Sequence, residues 1–277
     1  MNQQDLAAQY NIPAEFVQKK QSTDYPTEII DLPSGGKFYP SDNPLSTGRI
    51  ELKYPTAREE DILTSKNLIT KGVVIDKFME SLIVDPSIKL DSIVLGDKNA
   101  ILVASRILAY GPMYDITTTC PKCGNVASDK IDLSQLQSKE APDAPNGNDF
   151  TFTLPVRKNV IRFKVLTAGH EKAIDMEMRA YKKYAKDINQ DTVDPEITTR
   201  LKYAITSVDD NNDPSVIKKT VDSMLSRDSL ALRQEISRVS PDVDMRYTFQ
   251  CKECDHEERM GVPLNVNFFW PSGNVQD

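Results

Sequence analysis

The spacing of apolar residues separates stretches that alternate like strands from stretches with the three- and four-residue period of helices. Residues 48–55, GRIELKYP, alternate apolar and polar positions and predict a half-buried strand. Residues 56–110 then show helical periodicity in three segments, which are separated by Gly and Pro residues. The pattern therefore predicts a strand followed by a small helical unit.

Two of these helices carry recognisable signals at their N-termini. Thr56 and Glu59 have the T-x-x-E spacing of a capping box, and the helix that they open is expected to end near Gly72. Asp97 is predicted to be the N-cap of the third helix, which runs to Tyr110 ahead of a Gly-Pro pair. The helical unit leads directly into the first pair of cysteines.

The stretch from 150 to 243 has its own series of elements behind a linker-like segment. Residues 134–149 are rich in Pro and Gly and almost free of apolar residues, so they predict a linker. FTFTLP and NVIRFKVL then predict the two strands of a β-hairpin, and four helices follow. Two of these helices begin at Asp-Pro pairs, at 194–195 and 213–214, where Asp caps the helix and Pro takes its first position.

The four cysteines of the chain form two C-x-x-C motifs, CPKC at 120–123 and CKEC at 251–254. Each motif follows a stretch rich in Thr, Tyr, Phe and Ile, and turn residues accompany it, so each is predicted to lie at the tip of a β-hairpin. Two such knuckles supply four thiolates, which is the ligand set of a structural zinc site. The predicted ligands are Cys120, Cys123, Cys251 and Cys254.

The separation of the two motifs is unusual. Residues 124–250, 127 in all, lie between Cys123 and Cys251, against about 15–20 in a common zinc ribbon. We therefore predict one ribbon that is split by an inserted subdomain, with Zn²⁺ closing a very long loop. Two separate redox sites and buried free thiols are the alternatives. Neither motif opens a helix in a βαβ unit, as a redox site would.

The composition of the chain limits the kinds of partner that it is expected to bind. The chain has 277 residues and a net charge of −7, so contact with nucleic acid would need a local basic patch. The basic strand pair at 157–164 is expected to be a solvated hairpin face. No apolar run reaches the roughly 18–20 residues of a membrane span. The first residues lack the regions of a signal peptide, so we expect a cytoplasmic origin, where thiols stay reduced and can bind metal.

No catalytic set is recognisable in the sequence. His170 begins the stretch HEKAI, in which Ile174 stands where the HExxH pattern requires its second His. His256 is surplus to a four-cysteine site, and a closed site of this kind leaves no position for water. The sequence therefore predicts a non-enzymatic protein.

The two ends of the chain carry candidate partner-binding residues. Residues 1–30 are Gln-rich with a weak apolar pattern, and they predict an arm that becomes ordered on a partner, with Phe16 as its anchor. Near the other end, Phe268, Phe269 and Trp270 either pack on their own domain or anchor a partner, because aromatic residues dominate interface hot spots. Both interpretations of this tail stay open.

Four short segments follow one another in an order that is found in a known family. They are Leu32 to Tyr39 (LPSGGKFY), Gly96-Asp97, Tyr110 to Tyr114 (YGPMY) and the knuckle Cys120 to Cys123. Over about residues 28–134 the chain resembles the baseplate hub protein family of T-even-type contractile-tailed phages, and the second knuckle resumes the resemblance. It implies a role in building the phage tail, as a particle component or an assembly factor, in the host cytoplasm or the virion baseplate, with other hub and baseplate proteins as partners.

The expected fold is α+β: a small helical unit plus a split zinc ribbon, with an inserted β-hairpin and helical subdomain. The predicted divisions are an arm at 1–30, the helical unit and first knuckle at 31–134, the insertion at 150–243, and the second knuckle and tail at 244–277. A zinc-ribbon accessory protein associated with nucleic acid is the competing class. The acidity of the chain and the long insertion speak against it.

Overall fold

Short antiparallel strand pairs alternate with helices in the computed structural model, which describes residues 25–144, 146–187, 193–263 and 268–269. Its strands are β1 Thr27–Asp31, β2 Arg49–Lys53, β3 Met113–Thr119, β4 Val126–Asp132, β5 Ser138–Lys139, β6 Phe150–Thr153, β7 Val160–Phe163, β8 Ile205–Val208, β9 Asp242–Val243, β10 Arg246–Gln250 and β11 Glu257–Gly261. Its helices are α1 Ala57–Leu63, α2 Lys66–Lys71, α3 Val74–Leu82, α4 Leu95–Tyr110, α5 Ala168–Asp187, α6 Glu196–Ala204, α7 Pro214–Asp222 and α8 Ser226–Val239. This mixture of helix and sheet agrees with the predicted class. Phe16 and Trp270 lie outside the described residues.

The first strand pair is closed by a compact loop. Strands β1 and β2 pair antiparallel, with Asp31 opposite Arg49 next to the loop, so the alternating pattern of 48–55 is confirmed as a strand. The loop turns at Gly36, whose φ of 78° lies in the left-handed region that favours glycine. A Cβ at Gly36 would also collide with the backbone oxygen of Ser46. The loop therefore needs a glycine at this position.

The helical unit begins where its capping box predicts. The Thr56 hydroxyl accepts a hydrogen bond from the N–H of Arg58, and the Glu59 carboxylate accepts one from the N–H of Thr56 at 2.8 Å. The expected single helix is divided into α1 and α2, because the chain leaves the helical conformation at Ser65. Helix α2 ends at Gly72, with a φ of 69°, as predicted.

Asp97 does not cap helix α4, contrary to the prediction. The helix begins two residues earlier, at Leu95, and the Asp97 carboxylate is fully buried in its first turn. This carboxylate accepts hydrogen bonds from the Ser34 N–H at 2.9 Å, the Ser34 hydroxyl at 2.7 Å and the Tyr39 hydroxyl at 2.7 Å. The Tyr39 oxygen in turn accepts a hydrogen bond from the N–H of Val94 at 3.1 Å. These bonds join the loop before β2 to the start of α4.

Burial alters the ionisation of both acidic groups in this cluster. It raises the pKa of the Asp97 carboxyl above its usual range, although hydrogen bonds from Tyr39 and Ser34 favour the ionised form. It also raises the pKa of Tyr39 far above the usual value, so the phenol stays a donor. Because the folded state holds the Asp97 proton more tightly, the contribution of Asp97 to stability decreases as the pH rises from about 3.9 through the folded pKa.

Within the described residues, the stretch from 150 to 243 forms a three-stranded sheet and four helices. Strand β7 lies between β6 and β8 and is antiparallel to both. Strand β8 was not predicted, because it follows α6 without a turn residue and has only four residues. The helix start at Asp213-Pro214 is confirmed, with the Asp213 carboxylate accepting from the N–H of Ser215. The other helix begins at Glu196, after Pro195 rather than at it.

The segment that was expected to be a linker is bound to the rest of the chain. Ser138–Lys139 pairs antiparallel with Asp242–Val243, and the buried Ala141 donates its N–H to the oxygen of Pro33 at 3.0 Å. The polar composition gave no sign of this backbone pairing. Apolar side chains from before and after the segment join one core. The predicted insertion is thus packed on the helical unit, and whether it folds independently stays a prediction.

We expect Tyr39→Phe to lower the free energy of unfolding by about 1–3 kcal/mol, because it leaves the buried Val94 N–H without its acceptor and removes one donor from Asp97. Tyr54→Phe is the matched control. The Tyr54 ring is partly exposed, and its hydroxyl lies 3.5 Å from Glu28, so its loss should change the free energy by no more than about 0.5 kcal/mol. Equal effects of the two substitutions in denaturant titrations would contradict the role given to the cluster.

Candidate metal centre

Each C-x-x-C motif lies at the tip of an antiparallel hairpin, as predicted. Strands β3 and β4 pair as far as Thr119 opposite Val126. Strands β10 and β11 pair as far as Gln250 opposite Glu257. The cysteines therefore occupy the two connecting turns, and their positions are set by the strand register on either side.

The two turns share the same backbone hydrogen bonds. In the first, the N–H of Cys120 donates to the oxygen of Asn125 at 2.8 Å, and the N–H of Gly124 donates to the oxygen of Cys120 at 2.9 Å. The second turn repeats these bonds at 2.9 and 3.0 Å, through Cys251, Asp255 and His256. The two tips therefore make the same backbone hydrogen bonds, although their sequences agree only at the two cysteine positions.

The residue after each second cysteine has a left-handed backbone. Gly124 has a φ of 73° and Asp255 a φ of 52°. This conformation suits glycine, whereas for a residue with a side chain it costs about 1–2 kcal/mol, with Asp among the more tolerant types. The second tip therefore carries backbone strain that the first avoids.

The tips bring the four cysteine sulfurs together. The Sγ atoms of Cys120 and Cys254 are 3.8 Å apart, those of Cys123 and Cys251 are 3.7 Å apart, and all four lie within 4.8 Å of one another. Sulfurs placed tetrahedrally at about 2.3 Å from a metal are about 3.8 Å apart. A disulfide would need about 2.05 Å, and all four thiols are free. The donors thus fit a closed four-thiolate metal site.

Ionisation of the thiols is uneven. Burial opposes it, but hydrogen bonds from the backbone N–H groups of Cys123 and Lys122 lower the pKa of the Cys120 thiol to about 6. At Cys254 a backbone N–H from His256 favours the thiolate, yet burial and the neighbouring thiols raise the pKa to about 12. Ionising all four thiols at this spacing needs a cation, and a bound divalent metal would supply it.

A small apolar cluster supports the thiols from beneath. Phe249 is fully buried between the two hairpins, beside Cys120 and Cys251. The Thr118 hydroxyl and the Tyr247 hydroxyl share a hydrogen bond of 2.8 Å, which joins strand β3 to strand β10. The hairpins therefore contact each other directly as well as through their cysteines.

A buried arginine joins the first hairpin to the helical unit. The Arg106 guanidinium donates to the oxygen of Gly111 at 3.0 Å and to the oxygen of Met113 at 3.3 Å. Its carbon lies 5.1 Å from the ring centre of Tyr110 and 5.8 Å from that of Tyr114. The end of α4 and the start of β3 are thus held in one orientation around this side chain.

The aromatic residues near the C-terminus pack on the chain itself. Phe268 and Phe269 are only 2% and 3% exposed. Phe268 meets the ring of Tyr114 edge-on at 5.2 Å, and Phe269 meets that of Phe78 in the same way at 5.2 Å. The Tyr114 hydroxyl also donates to the oxygen of Pro263 at 2.8 Å. In this structure the two rings pack on the chain itself, and a role of the tail in binding a partner stays a prediction.

Neither histidine side chain belongs to the four-thiol cluster. His170 Nδ1 accepts a hydrogen bond from the N–H of Thr167 at 3.1 Å, and burial lowers the His170 pKa. His256 Nε2 lies 3.2 Å from a Glu258 oxygen. Within the described residues, the four cysteines are the one group of three or more Cys, His, Asp or Glu side chains placed to share a metal ion.

The fold and the site define a protein of mixed helix and sheet in which two remote hairpins meet at a four-cysteine cluster. The family model described as T4 bacteriophage base plate protein matches residues 24–270, and the chain belongs to this family. No curated protein and no solved structure matches the chain. Membership indicates a structural protein of the phage tail baseplate with other baseplate proteins as partners. No helix of the described residues is long and apolar enough to cross a membrane.

Sequence reasoning found the four cysteines but missed the residues that support them. Thr118 and Tyr247 lie in strands whose sequences alternate apolar and polar residues. They are 129 residues apart, and nothing in either local sequence indicates that their hydroxyls form a hydrogen bond. The sequence pattern did predict a strand that includes Phe249 next to the second motif. An apolar residue in such a strand is expected to face the interior, and this was the only indication of its role. Contacts between remote hairpins have no local sequence signature, because they depend on how the chain in between folds.

We expect Cys251→Ser to lose bound metal and lower the thermal midpoint. A loss of about 3 kcal/mol, a fraction of what structural zinc supplies in small domains, would lower the midpoint by about 6–12 °C in a chain of this size. Lys252→Ser, in the same turn but with an exposed side chain, is the matched control. Elemental analysis and thermal unfolding with and without a chelator check the prediction. It is wrong if folded wild-type protein holds no metal, or if the chelator destabilises Cys251→Ser as much as the control.

Proposed function

We propose that the protein is a non-enzymatic component or assembly factor of the baseplate hub, and that a structural Zn²⁺ holds its two hairpins together. One observation carries the proposal. The chain belongs to a family of baseplate proteins. Its four cysteines come from two motifs whose sulfur pairs are 128 and 134 residues apart in sequence, and these sulfurs lie at the spacing of a tetrahedral metal site.

The donor set favours zinc. Four thiolates in a tetrahedron suit Zn²⁺, which has no redox chemistry and no preferred geometry of its own, and iron is the main competitor for such a site. The surrounding apolar side chains, with Phe249 the most buried, exclude water from one side of the cluster. When bound, the metal would neutralise the thiolates and fix the hairpins relative to each other.

A scaffold role fits the chemistry of the site. Four protein ligands would fill a tetrahedral metal completely, so no position is left for a substrate or a reactive water. The cluster is the one metal-ligand group among the described residues. The buried acid Asp97 is engaged by Ser34 and Tyr39 in holding the fold. The proposal of no enzymatic activity rests on these roles.

The contacts made by the segments that resemble the hub family support the hub assignment. The Leu32 to Tyr39 loop is bound to Asp97 through Ser34 and Tyr39. The Tyr110 to Tyr114 junction is held by Arg106. The segments that carry the resemblance are therefore the ones that connect the loop, the helical unit and the first knuckle. A family pattern concentrated at these junctions is what a shared scaffold needs.

The proposed partners are other hub and baseplate proteins, met first in the host cytoplasm and then in the virion baseplate. Of the predicted arm at 1–30, residues 27–30 belong to strand β1. The part of the arm before β1, with Phe16 as its anchor, and Trp270 remain proposed contacts with these partners. The acidic chain, with a net charge of −7, is not expected to bind nucleic acid.

Infection with a phage that lacks this gene product should give heads but no complete baseplates, and the wild-type gene or Lys252→Ser supplied in trans should restore them. Cys251→Ser should restore fewer, because the metal site supports the fold. Immunodetection in purified virions separates a particle component, which is present, from an assembly factor, which is absent. Normal baseplates without the gene product would contradict the proposal. Tight, salt-dependent binding to DNA would favour the competing nucleic-acid class.

A further inference from the structure

Helix α5 has one face that is fully engaged with the rest of the chain. Ile174 and Met178 are buried in a small cluster that is separate from the main core. Three polar contacts reinforce this face, and all of them reach the segment that leads into and forms α6. They are Glu171 with Arg200 at 2.8 Å, Glu177 with Tyr203 at 3.3 Å and Lys182 with Asp194 at 3.0 Å.

The same helix carries a second apolar stripe on a different side. Ala173, Met176, Ala180 and Tyr184 recur at intervals of three and four residues, so they share one face. Met176 is 61% exposed and Tyr184 is 62% exposed. A helix that needed only to pack on its own domain would carry polar residues on this side. We call these four residues the outer stripe.

The two edges of the outer stripe differ in charge. Lys172, Arg179 and Lys183 are seven and four residues apart and follow one edge, while Glu177 lies on the other. Lys172 lies 3.7 Å from Asp91. Among the side chains that the structure describes, no carboxylate lies within ion-pair distance of Arg179, whose guanidinium lies near Gly72 at the end of α2. The outer stripe thus has a basic edge in a chain whose net charge is −7.

We propose that the outer stripe is a docking surface for another protein, which receives α5 in an apolar groove that has carboxylates along one edge. Helices bind grooves in this way through apolar residues spaced by three and four. The stripe from Ala173 to Tyr184 is about 17 Å long, at about 1.5 Å per residue, so it fits a groove about three turns long. Arg179 and Lys183 would pair with the acidic edge and set the direction of the helix.

A second copy of this chain is the less suitable occupant. Two copies related by a two-fold axis could pair their α5 helices antiparallel or parallel. In the antiparallel pair, Lys172, Arg179 and Lys183 would lie against the same three residues of the other copy. In the parallel pair, these three cations would face Glu177, a single carboxylate that already accepts a hydrogen bond from Tyr203. Like charges at this distance oppose association, whereas a partner with an acidic edge would satisfy them.

The inference does not depend on the proposed hub role or on the metal. It requires only that the protein meets other baseplate proteins, which family membership indicates. If the docking surface is wrong, the infection experiment above is unaffected. If the hub role is wrong, α5 can still bind a different baseplate protein.

A photoreactive amino acid at position 184 tests the proposal in the full chain, produced together with the other baseplate proteins of the same phage. The same amino acid at Leu230, an exposed position on α8, is the control. We expect position 184 to give an adduct with one baseplate protein, at a peptide that contains apolar residues and Asp or Glu, and position 230 to give none with that peptide. An adduct between two copies of this chain, or no adduct at 184, would overturn the proposal.

Binding measurements with the purified partner identified in this way test the chemistry. The double variant Arg179→Glu/Lys183→Glu should bind the partner about tenfold or more weakly than the wild-type protein at low salt. This difference in affinity should become smaller at high salt, because salt screens the charges. Met176→Asp should weaken it at every salt concentration. Lys218→Glu and Leu230→Asp, on α7 and α8, are controls that should change it less than twofold. Circular dichroism confirms that each variant is folded. Unchanged affinity of the α5 variants, or a preference of wild-type protein for DNA or anionic vesicles, would refute the docking surface.

Discussion

The closure of a very long loop by four thiols is the constraint on which the arrangement of this chain depends. Cys123 and Cys251 are 128 residues apart in sequence, yet their sulfurs lie 3.7 Å apart. Bringing remote segments together costs entropy, and the cost grows only slowly with loop length, so one strong link can hold a large intervening segment. A bound metal would provide this link. Phe249 and the Thr118–Tyr247 hydrogen bond would then keep the hairpins aligned beneath it.

Away from the cysteines, buried polar side chains connect the segments. The Asp97 carboxylate joins the Leu32 to Tyr39 loop to α4, and Arg106 joins α4 to the first hairpin. A buried charge destabilises the fold unless its hydrogen bonds are satisfied, so such residues allow few alternative arrangements. The family model matches residues 24–270 and so includes both junctions.

Local signals in the sequence predicted local structure well. The capping box at Thr56, the left-handed Gly72 and both cysteine hairpins follow from residue types a few positions apart. What could not be predicted depends on long-range contacts. Asp97 looked like a cap, because nothing nearby in sequence reveals Ser34 and Tyr39 as its donors. The polar segment at 134–149 concealed a strand, since its partner at Asp242–Val243 lies about a hundred residues away. The grouping of the four thiols was predictable because a metal site would restrict both residue type and spacing.

X-ray absorption at the metal edge of the purified protein tests the central claim most directly, because it reports the element and its nearest neighbours. The account predicts one zinc per chain with four sulfur neighbours at about 2.3 Å and no nearer nitrogen or oxygen. Neighbours at about 2.0–2.1 Å would place histidine or carboxylate in the site. Either that result, or folded protein without a metal edge, would contradict a closed four-cysteine centre as the link between the two hairpins.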